Sequence, residues 1–253
     1  MPRYFLEISF NGTAYRGWQV QPDRPTVQAE LERALRMKLR DPRLGVVGCG
    51  RTDTGVHATQ FFVHFDQGSA IMPEPLAHGL NSFLPDDIAV LRCIPVPPDA
   101  HARFSATERR YLYRIHRHKD PFLTDRSHLL RPALDINAMN SAVSCLVGVQ
   151  DFSSFCKAGT DAKTMICDVR EAIWRSIDNG YEFRISADRF LRNMVRAIVG
   201  TCIRIGKGQW PVERMQAILA ARDRALAGKS AAARGLYLIG VDYPFVPAEV
   251  HDP

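Results

Sequence analysis

The eleven residues from Gly48 to Ala58 read GCGRTDTGVHA and connect two segments that have the alternating pattern of β-strands. Asp53 stands in the middle of this connection, two residues after Arg51 and four before His57. Three glycines bracket it, and they allow positive φ and the close approach of another molecule. Because an adjacent arginine favours an ionised carboxylate, the pattern indicates a nucleophilic aspartate at a strand end. An ordinary turn is the alternative, since Asp, Thr and Gly are common turn residues.

Outward from this loop, the hydrophobic periodicity of the first half predicts the order β-α-β-β-α-β. Thr26 is the expected N-cap of the first helix. The predicted elements are a strand from Leu6 to Phe10, a helix from Val27 to Leu39, strands near Val46 and from Gln60 to Phe65, a helix from Pro73 to Phe83 and a strand from Ile88 to Ile94.

The second half repeats this order after a linker marked by three prolines between residues 95 and 98. We therefore predict an α+β protein of two ferredoxin-like halves, residues 1–104 and 105–253, whose mixed, mainly antiparallel sheets form a central cleft. The elements predicted for the second half are a strand through Tyr111 and Tyr113, a helix from Ile136 to Leu146, strands from Met165 to Ile177 and Tyr181 to Ile185, helices from Phe190 to Ile205 and Pro211 to Ala221, and a strand from Leu236 to Asp242.

Composition narrows the class of protein. The 253 residues carry a formal net charge of +6 and a sequence pI of about 9.1, which favours a polyanionic partner. Six cysteines form no C-x-x-C pair and are expected to be small buried hydrophobic residues. The N-terminal segment lacks the apolar run of a signal peptide, and no stretch reaches the roughly 18 apolar residues of a membrane span. We expect a cytoplasmic protein with no membrane partner.

Two further segments combine basic residues with aromatic or apolar ones. In ERRYLYRI (Glu108 to Ile115) the alternation of a strand puts Tyr111 and Tyr113 on one face, in a setting that includes Arg109 and Arg110. These tyrosines are either half-buried sheet residues or a platform on which an unpaired base stacks. A long helix in the second half carries two arginines on the side opposite its apolar stripe. This basic face is either exposed to solvent or lines the cleft. The two arginines are Arg192 and Arg196.

Other motifs point to no cofactor. Gly228-Lys229-Ser230 resembles the end of a phosphate loop, but Asp223 stands where the earlier glycine is required. Asp53 likewise replaces the third glycine of a dinucleotide fingerprint. No nucleotide cofactor and no metal are expected. The basic segment 222–234 is rich in small residues, which suits a flexible clamp on an anion as well as it suits a surface loop.

With these residues assembled, the chain resembles the TruA family of tRNA pseudouridine synthases over nearly its whole length. GRTDTGVHA is similar to the catalytic loop of that family, and Asp53 matches its essential aspartate. Asn11 and Thr54 depart from the family pattern, which more often has Asp and Ala there. The other matches are GWQ (Gly17 to Gln19), Asn81 with LPDDI (Leu84 to Ile88), ARFSA (Ala102 to Ala106), RRYLYRI (Arg109 to Ile115), DFSSF (Asp151 to Phe155), RNMVRAIVG (Arg192 to Gly200) and GLYLIGVDYP (Gly235 to Pro244).

The resemblance implies a homodimer that binds tRNA and isomerises uridines 38, 39 and 40 of the anticodon stem-loop, with no cofactor. It implies that Asp53 is the nucleophile, that Arg196 pairs with it and that Tyr111 stacks on the uracil. Substrate contacts are further expected from Arg51, His57, Arg109 and Arg110.

Two rival hypotheses remain open from the residues alone. One is a non-catalytic RNA-binding protein, which explains the charge and the aromatic strand. The other is a glycosidase that uses Asp53 and needs a partner acid. The nominal candidates for that acid are Asp86, Asp87 and Glu108.

Overall fold

The computed structural model describes residues 1–159 and 162–247, which divide into two compact units. The first unit holds Met1–Thr107 together with the chain from Tyr237 onward, and the second holds Glu108–Leu236. The predicted boundary after residue 104 lies close to this division. The predicted second domain, 105–253, includes the closing strand, whereas in the structure the chain from Tyr237 onward belongs to the first unit.

The first unit has the order β-α-β-β-α-β. Strand β1 lies between β3 and β4 and is antiparallel to both, and the short β2 pairs with the far end of β3, Val47 opposite His64. Thr26 caps α1 as predicted, because its side chain accepts a hydrogen bond from the amide of Ala29. The elements are β1 (Arg3–Phe10), α1 (Val27–Leu39), β2 (Val47–Gly48), β3 (His57–Asp66), α2 (Pro73–Asn81) and β4 (Ile88–Val96).

The second unit carries more elements than the sequence predicted. Its sheet has the antiparallel order β5-β9-β8-β7, and β6 pairs in parallel with β5. The short strands β6 and β7 were not predicted. The elements are β5 (Glu108–His116), β6 (His128–Leu129), α3 (Ile136–Val143), β7 (Gly148–Asp151), β8 (Ile166–Ile177), β9 (Gly180–Ala187), α4 (Met194–Gly206) and α5 (Arg214–Ala221).

The closing strand β10 (Leu236–Asp242) explains why the chain returns to the first unit. It pairs in parallel with the start of β3, Tyr237 opposite His57 and Leu238 opposite Ala58. Both units therefore have mixed, mainly antiparallel sheets, and the predicted α+β class is confirmed. Across the described residues, no helix combines the length and apolar character that crossing a membrane requires.

Two local predictions are wrong for identifiable reasons. Helix α4 begins at Met194, not Phe190, because Asn193 has a φ of 66° and this left-handed backbone cannot continue a helix. The second prediction concerns β1, where Leu6, Ile8 and Phe10 alternate with polar residues and predict that only one face of the strand is buried. Glu7 lies on the other face and is nevertheless fully buried. Its carboxylate pairs with Arg92 and accepts a 2.7 Å hydrogen bond from the side-chain amide of Gln60. These partners offset the large penalty of burying an isolated charge.

The buried His64 on β3 makes stability depend on pH. Its Nδ1 accepts a hydrogen bond from the amide of Ala102 (3.1 Å), which requires that this nitrogen carry no proton. Burial, with smaller contributions from Arg3 and His101, lowers the pKa of His64 from 6.5 to about 4. Between these values the unfolded chain binds a proton that the folded protein does not, so stability falls as pH falls.

We expect the free energy of unfolding to decrease from pH 6.5 to pH 4, with His64 contributing up to about 1.4 kcal/mol per pH unit. His64→Asn retains an acceptor near the Nδ1 position and removes the titrating group. The slope of its unfolding free energy against pH should therefore be smaller by the equivalent of about one bound proton. Urea unfolding at a series of pH values measures this slope. His78→Asn, at an exposed position of α2, is the control, and an equal flattening there would contradict the assignment.

Candidate active site

The loop that carries Asp53 is held by backbone hydrogen bonds to the segment 12–18. The amide of Trp18 donates to the carbonyl of Thr52 (3.2 Å), and the amide of Gly55 donates to the carbonyl of Tyr15 (3.3 Å). Within the loop, the amide of Val56 donates to the carbonyl of Asp53 (3.1 Å). Asp53 itself is half-buried. Its backbone is thus fixed on both sides, which suits a group that must be positioned before it reacts.

Glycine has a different role at each position of this region. Only Gly55 of the three loop glycines has a positive φ, 75°. A Cβ on Gly48 would lie 2.8 Å from the Trp18 ring, whereas one on Gly50 would meet nothing within 4 Å. Two glycines of the supporting segment approach the loop more closely: a Cβ on Gly12 would lie 2.0 Å from the Val56 carbonyl oxygen, and one on Gly17 would lie 2.3 Å from the Thr52 carbonyl oxygen. The expectation that the loop glycines provide positive φ is therefore wrong for two of them.

Tyr15 provides an anchor that sequence analysis missed. Its hydroxyl donates to the carboxylate of Asp87 at 2.5 Å, and burial followed by this hydrogen bond raises the pKa of the phenol. Asp87 belongs to the LPDDI segment, for which the sequence indicated only a match to a family motif. The pairing ties the segment that supports the Asp53 loop to the residues just before β4.

His57 is a packing residue in this structure. Its side chain is almost fully buried, its Nδ1 accepts a hydrogen bond from the amide of Gly12 (3.1 Å), and its ring stacks on Tyr237 at 4.6 Å. These contacts fix the end of the Asp53 loop against β10. The expected substrate contact of His57 stays a prediction. Arg51, by contrast, is exposed.

The basic and aromatic residues of strand β5 have different surroundings, although they are adjacent in the ERRYLYRI segment. Tyr111 is half-buried, and its ring meets that of Phe190 edge-on at 5.0 Å. Tyr113, two residues further along, is fully buried and therefore cannot stack on a base. Arg109 donates to the carbonyl of Asp188 at 2.7 Å. A further residue of the group, Arg110, lies on the opposite face from Tyr111, because side chains alternate along a strand.

Helix α4 does not have the solvated basic face that its periodicity suggested. Eleven of its thirteen residues are buried, and Arg192 precedes the helix. Arg196 is half-buried. Its Nε donates to the carbonyl of Ala231 at 2.8 Å, and the amide of Ala231 donates back to the Arg196 carbonyl at 2.9 Å. The guanidinium is consequently held in place at its Nε.

The segment Gly228–Ala232, which we call the strap, is packed against α4. The amide of Gly228 donates to the buried hydroxyl of Thr201 (2.9 Å), and a Cβ on Gly200 would lie 1.8 Å from the Lys229 carbonyl oxygen. Helix and strap backbones touch, and glycine is required at position 200 for that approach. Of the two alternatives for 222–234, a flexible clamp and a surface loop, the contacts of the strap do not support a flexible clamp in this part.

A cavity of about 440 Å³ in the second unit is bordered by several basic side chains, among them Lys157, Arg222 and Arg224. Arg222 lies 3.3 Å from the carboxylate of Asp151 in the DFSSF segment, and its side chain is 68% exposed. Arg224 instead donates to the strap, at the Gly228 carbonyl and the Ser230 hydroxyl. Lys157 is exposed. Lys157 and Arg222 therefore border the same cavity, together with Asp223, and no sequence pattern indicated that they are neighbours.

Each predicted site residue is now located within its own unit. The first unit holds the carboxylate of Asp53 on a fixed loop, and the second unit holds the candidate tyrosine and three of the candidate arginines. In the part of the chain that the structure describes, no three His, Cys, Asp or Glu side chains are grouped as metal ligands. Arg51, Asp53 and His57 belong to the first unit, and Arg109, Arg110, Tyr111 and Arg196 to the second.

Comparison with known proteins gives consistent matches. The family model described as tRNA pseudouridine synthase matches residues 8–105 and 142–244. The tRNA pseudouridine synthase A of Parabacteroides distasonis is 45% identical over 245 residues, covering 96% of this chain and 97% of the relative. The proteins of the same name from Bacteroides thetaiotaomicron and Bacillus pumilus are 44% and 40% identical, covering 96% and 93% of this chain and 91% and 97% of their own.

Proposed function

The chain belongs to the tRNA pseudouridine synthase family, and from that premise we propose that it isomerises uridine to pseudouridine in tRNA. We further propose that the substrates are uridines 38, 39 and 40 of the anticodon stem-loop and that a homodimer binds the tRNA. The observation that carries the proposal is the family match, which includes the whole Asp53 loop within residues 8–105.

The reaction sets clear requirements on the protein. The bond from ribose C1′ to N1 of uracil breaks, the base turns, C1′ joins C5, and the proton on C5 is lost while N1 gains one. No atom is gained or lost overall, so the reaction consumes no redox cofactor or phosphate donor. A carboxylate serves as nucleophile in such chemistry if it is ionised and positioned.

We assign these tasks to four residues. Asp53 is the nucleophile, and Arg196 stabilises and orients its charge. Tyr111 stacks on the uracil and assists proton transfer at C5. Arg51, exposed in the same loop as Asp53, contacts the RNA backbone or fills the space that the flipped nucleotide leaves. Flipping costs a few kcal/mol, and less where the base is unpaired, which favours substrates in or next to a loop.

The surroundings of the carboxylates favour this proposal over its two rivals. A non-catalytic RNA-binding protein does not require a half-buried aspartate on a loop held by backbone hydrogen bonds. A glycosidase needs a second carboxylic acid beside the first. Asp87 accepts a hydrogen bond from Tyr15, and Glu108 accepts one from Arg170 at 2.7 Å. Both of these candidate acids therefore already have structural partners.

The function is tested on a tRNA transcript that carries uridine at positions 38 to 40. After incubation and digestion to nucleosides, we expect a product of unchanged mass and shifted chromatographic retention, and none from a transcript with cytidine at those positions. Free uracil would support the glycosidase instead. Binding without any product would support the non-catalytic protein.

We propose that the basic cavity contributes to tRNA binding through phosphate contacts. If Lys157 and Arg222 each neutralise a phosphate, log affinity falls linearly with log salt, and removing both makes that slope shallower by about 1.4–1.8. Lys157→Gln/Arg222→Gln should therefore bind tRNA more weakly and with a flatter salt dependence. Single-turnover chemistry at saturating enzyme should be unchanged. Fluorescence anisotropy at several salt concentrations measures the slope.

The matched control is Lys119→Gln/Arg131→Gln, which removes two exposed charges of the same unit that do not border the cavity. A slope that stays at the wild-type value in the cavity variant, or that flattens equally in the control, would exclude the cavity as a phosphate site.

A further inference from the structure

The strap fixes one edge of the Arg196 guanidinium. Arg196 and Ala231 exchange two hydrogen bonds, from Nε to the Ala231 carbonyl (2.8 Å) and from the Ala231 amide to the Arg196 carbonyl (2.9 Å). A guanidinium has five N–H donors, one on Nε and four on the terminal nitrogens. Since Nε donates to the strap, a carboxylate paired with Arg196 meets the terminal nitrogens.

Tyr113 fixes the next residue of the strap. Its hydroxyl donates to the carbonyl of Ala232 at 2.8 Å and lies 3.0 Å from Nδ1 of His128. The hydroxyl has one proton, which goes to the carbonyl, so His128 donates from Nδ1. Burial lowers the pKa of His128 to about 4, and a neutral ring with its proton on Nδ1 satisfies this arrangement. Tyr113 itself is fully buried, so its hydroxyl is not available to a substrate.

A second anchor holds the strap from another side. The hydroxyl of Ser230 accepts hydrogen bonds from the side chains of Asn193 (2.6 Å) and Arg224 (3.1 Å). Asn193 is the residue immediately before α4. The strap is therefore tied to the start of the helix that carries Arg196 as well as to β5.

We propose that Tyr113 is a positioning residue for the reaction. Its hydroxyl fixes the Ala232 carbonyl, the adjacent Ala231 carbonyl fixes Nε of Arg196, and the terminal nitrogens of Arg196 are thereby held in one orientation for the nucleophile. A displacement of about 1 Å in such a group can cost about 100-fold in rate without changing substrate affinity. This inference rests on the proposed function, because it takes Arg196 as the partner of Asp53.

The test is a double-mutant cycle between Tyr113→Phe and Arg196→Lys, with kcat and KM for tRNA measured separately. Tyr113→Phe keeps the ring and removes the hydrogen bond to the strap. We expect kcat to fall about 10- to 100-fold with KM within about twofold of wild type. In the Arg196→Lys background the same change should have almost no further effect, because residues that act as a unit are non-additive. Ser230→Ala should give the same pattern through the second anchor.

Tyr181→Phe is the matched control. Tyr181 is a buried tyrosine of the same unit whose hydroxyl accepts a hydrogen bond from the amide of Leu134 (3.1 Å), away from the strap. Its kcat should stay near wild type. Wild-type kcat in Tyr113→Phe, or losses that multiply in the double variant, would overturn the positioning role. An inactive wild-type protein would instead refute the proposed function, so the two failures are distinguishable.

Discussion

Replacing Asp53 with asparagine is expected to lower kcat for pseudouridine formation by at least about 10⁴-fold, because the amide cannot act as a nucleophile. The change is nearly isosteric and leaves the backbone hydrogen bonds at Thr52, Gly55 and Val56 intact. We therefore expect tRNA affinity to stay within about twofold and the unfolding free energy within about 0.5 kcal/mol of wild type. Single-turnover assays, anisotropy and urea unfolding measure the three quantities.

Asp86→Asn is the control for this substitution. Asp86 is an exposed carboxylate of the same unit and one of the acids that a glycosidase would need. Full activity in this variant, together with the loss in Asp53→Asn, would locate the chemistry at position 53. More than a few per cent of wild-type activity in pure Asp53→Asn would show that another group is the nucleophile.

Arg196→Lys is expected to lower kcat about 10²- to 10³-fold with little change in tRNA affinity. The arginine side chain has five N–H donors, so it can donate to the Ala231 carbonyl through Nε and to a carboxylate through its terminal nitrogens. A lysine has one ammonium group and cannot serve both partners in the same geometry. The loss should therefore appear in turnover, measured as kcat under saturating tRNA.

Arg204→Lys provides the comparison on the same helix. The Arg204 guanidinium lies over the ring of Trp210 at 4.4 Å near the C-terminal end of α4, and a lysine keeps the positive charge there. Activity close to wild type is expected for this variant. If Arg196→Lys behaves in the same way, then Arg196 is not the partner of the nucleophile.

The fold could be predicted from periodicity because most of its elements bury one face. The helix over Val27–Leu39 has a side-chain cap at Thr26 and regular apolar spacing, and both of its predicted ends are correct. The start of α4 was missed because the left-handed backbone at Asn193 is stabilised by a long-range hydrogen bond to Ser230, 37 residues later. The two-residue strand β6 is too short to show any period.

The candidate site was only partly predictable, because several of its supporting contacts join residues that are far apart in the sequence. The Asp53 loop could be recognised because its glycines and charged residues are contiguous. The anchors of the site are not: Tyr15 and Asp87 are 72 residues apart, and Tyr113 and Ala232 are 119 apart. The burial of His57 was also not predictable, since its contacts are with Gly12 and Tyr237, which are distant in sequence.

The most direct test of the central claim uses an anticodon stem-loop with tritium on C5 of uridine 39. Joining C1′ to C5 releases that hydrogen, so the wild-type protein should transfer tritium to water in step with pseudouridine formation, while the base stays attached to the RNA. Asp53→Asn should release none under the same conditions. Tritium that remains on the RNA with the wild-type protein, or labelled free uracil in solution, would contradict the account.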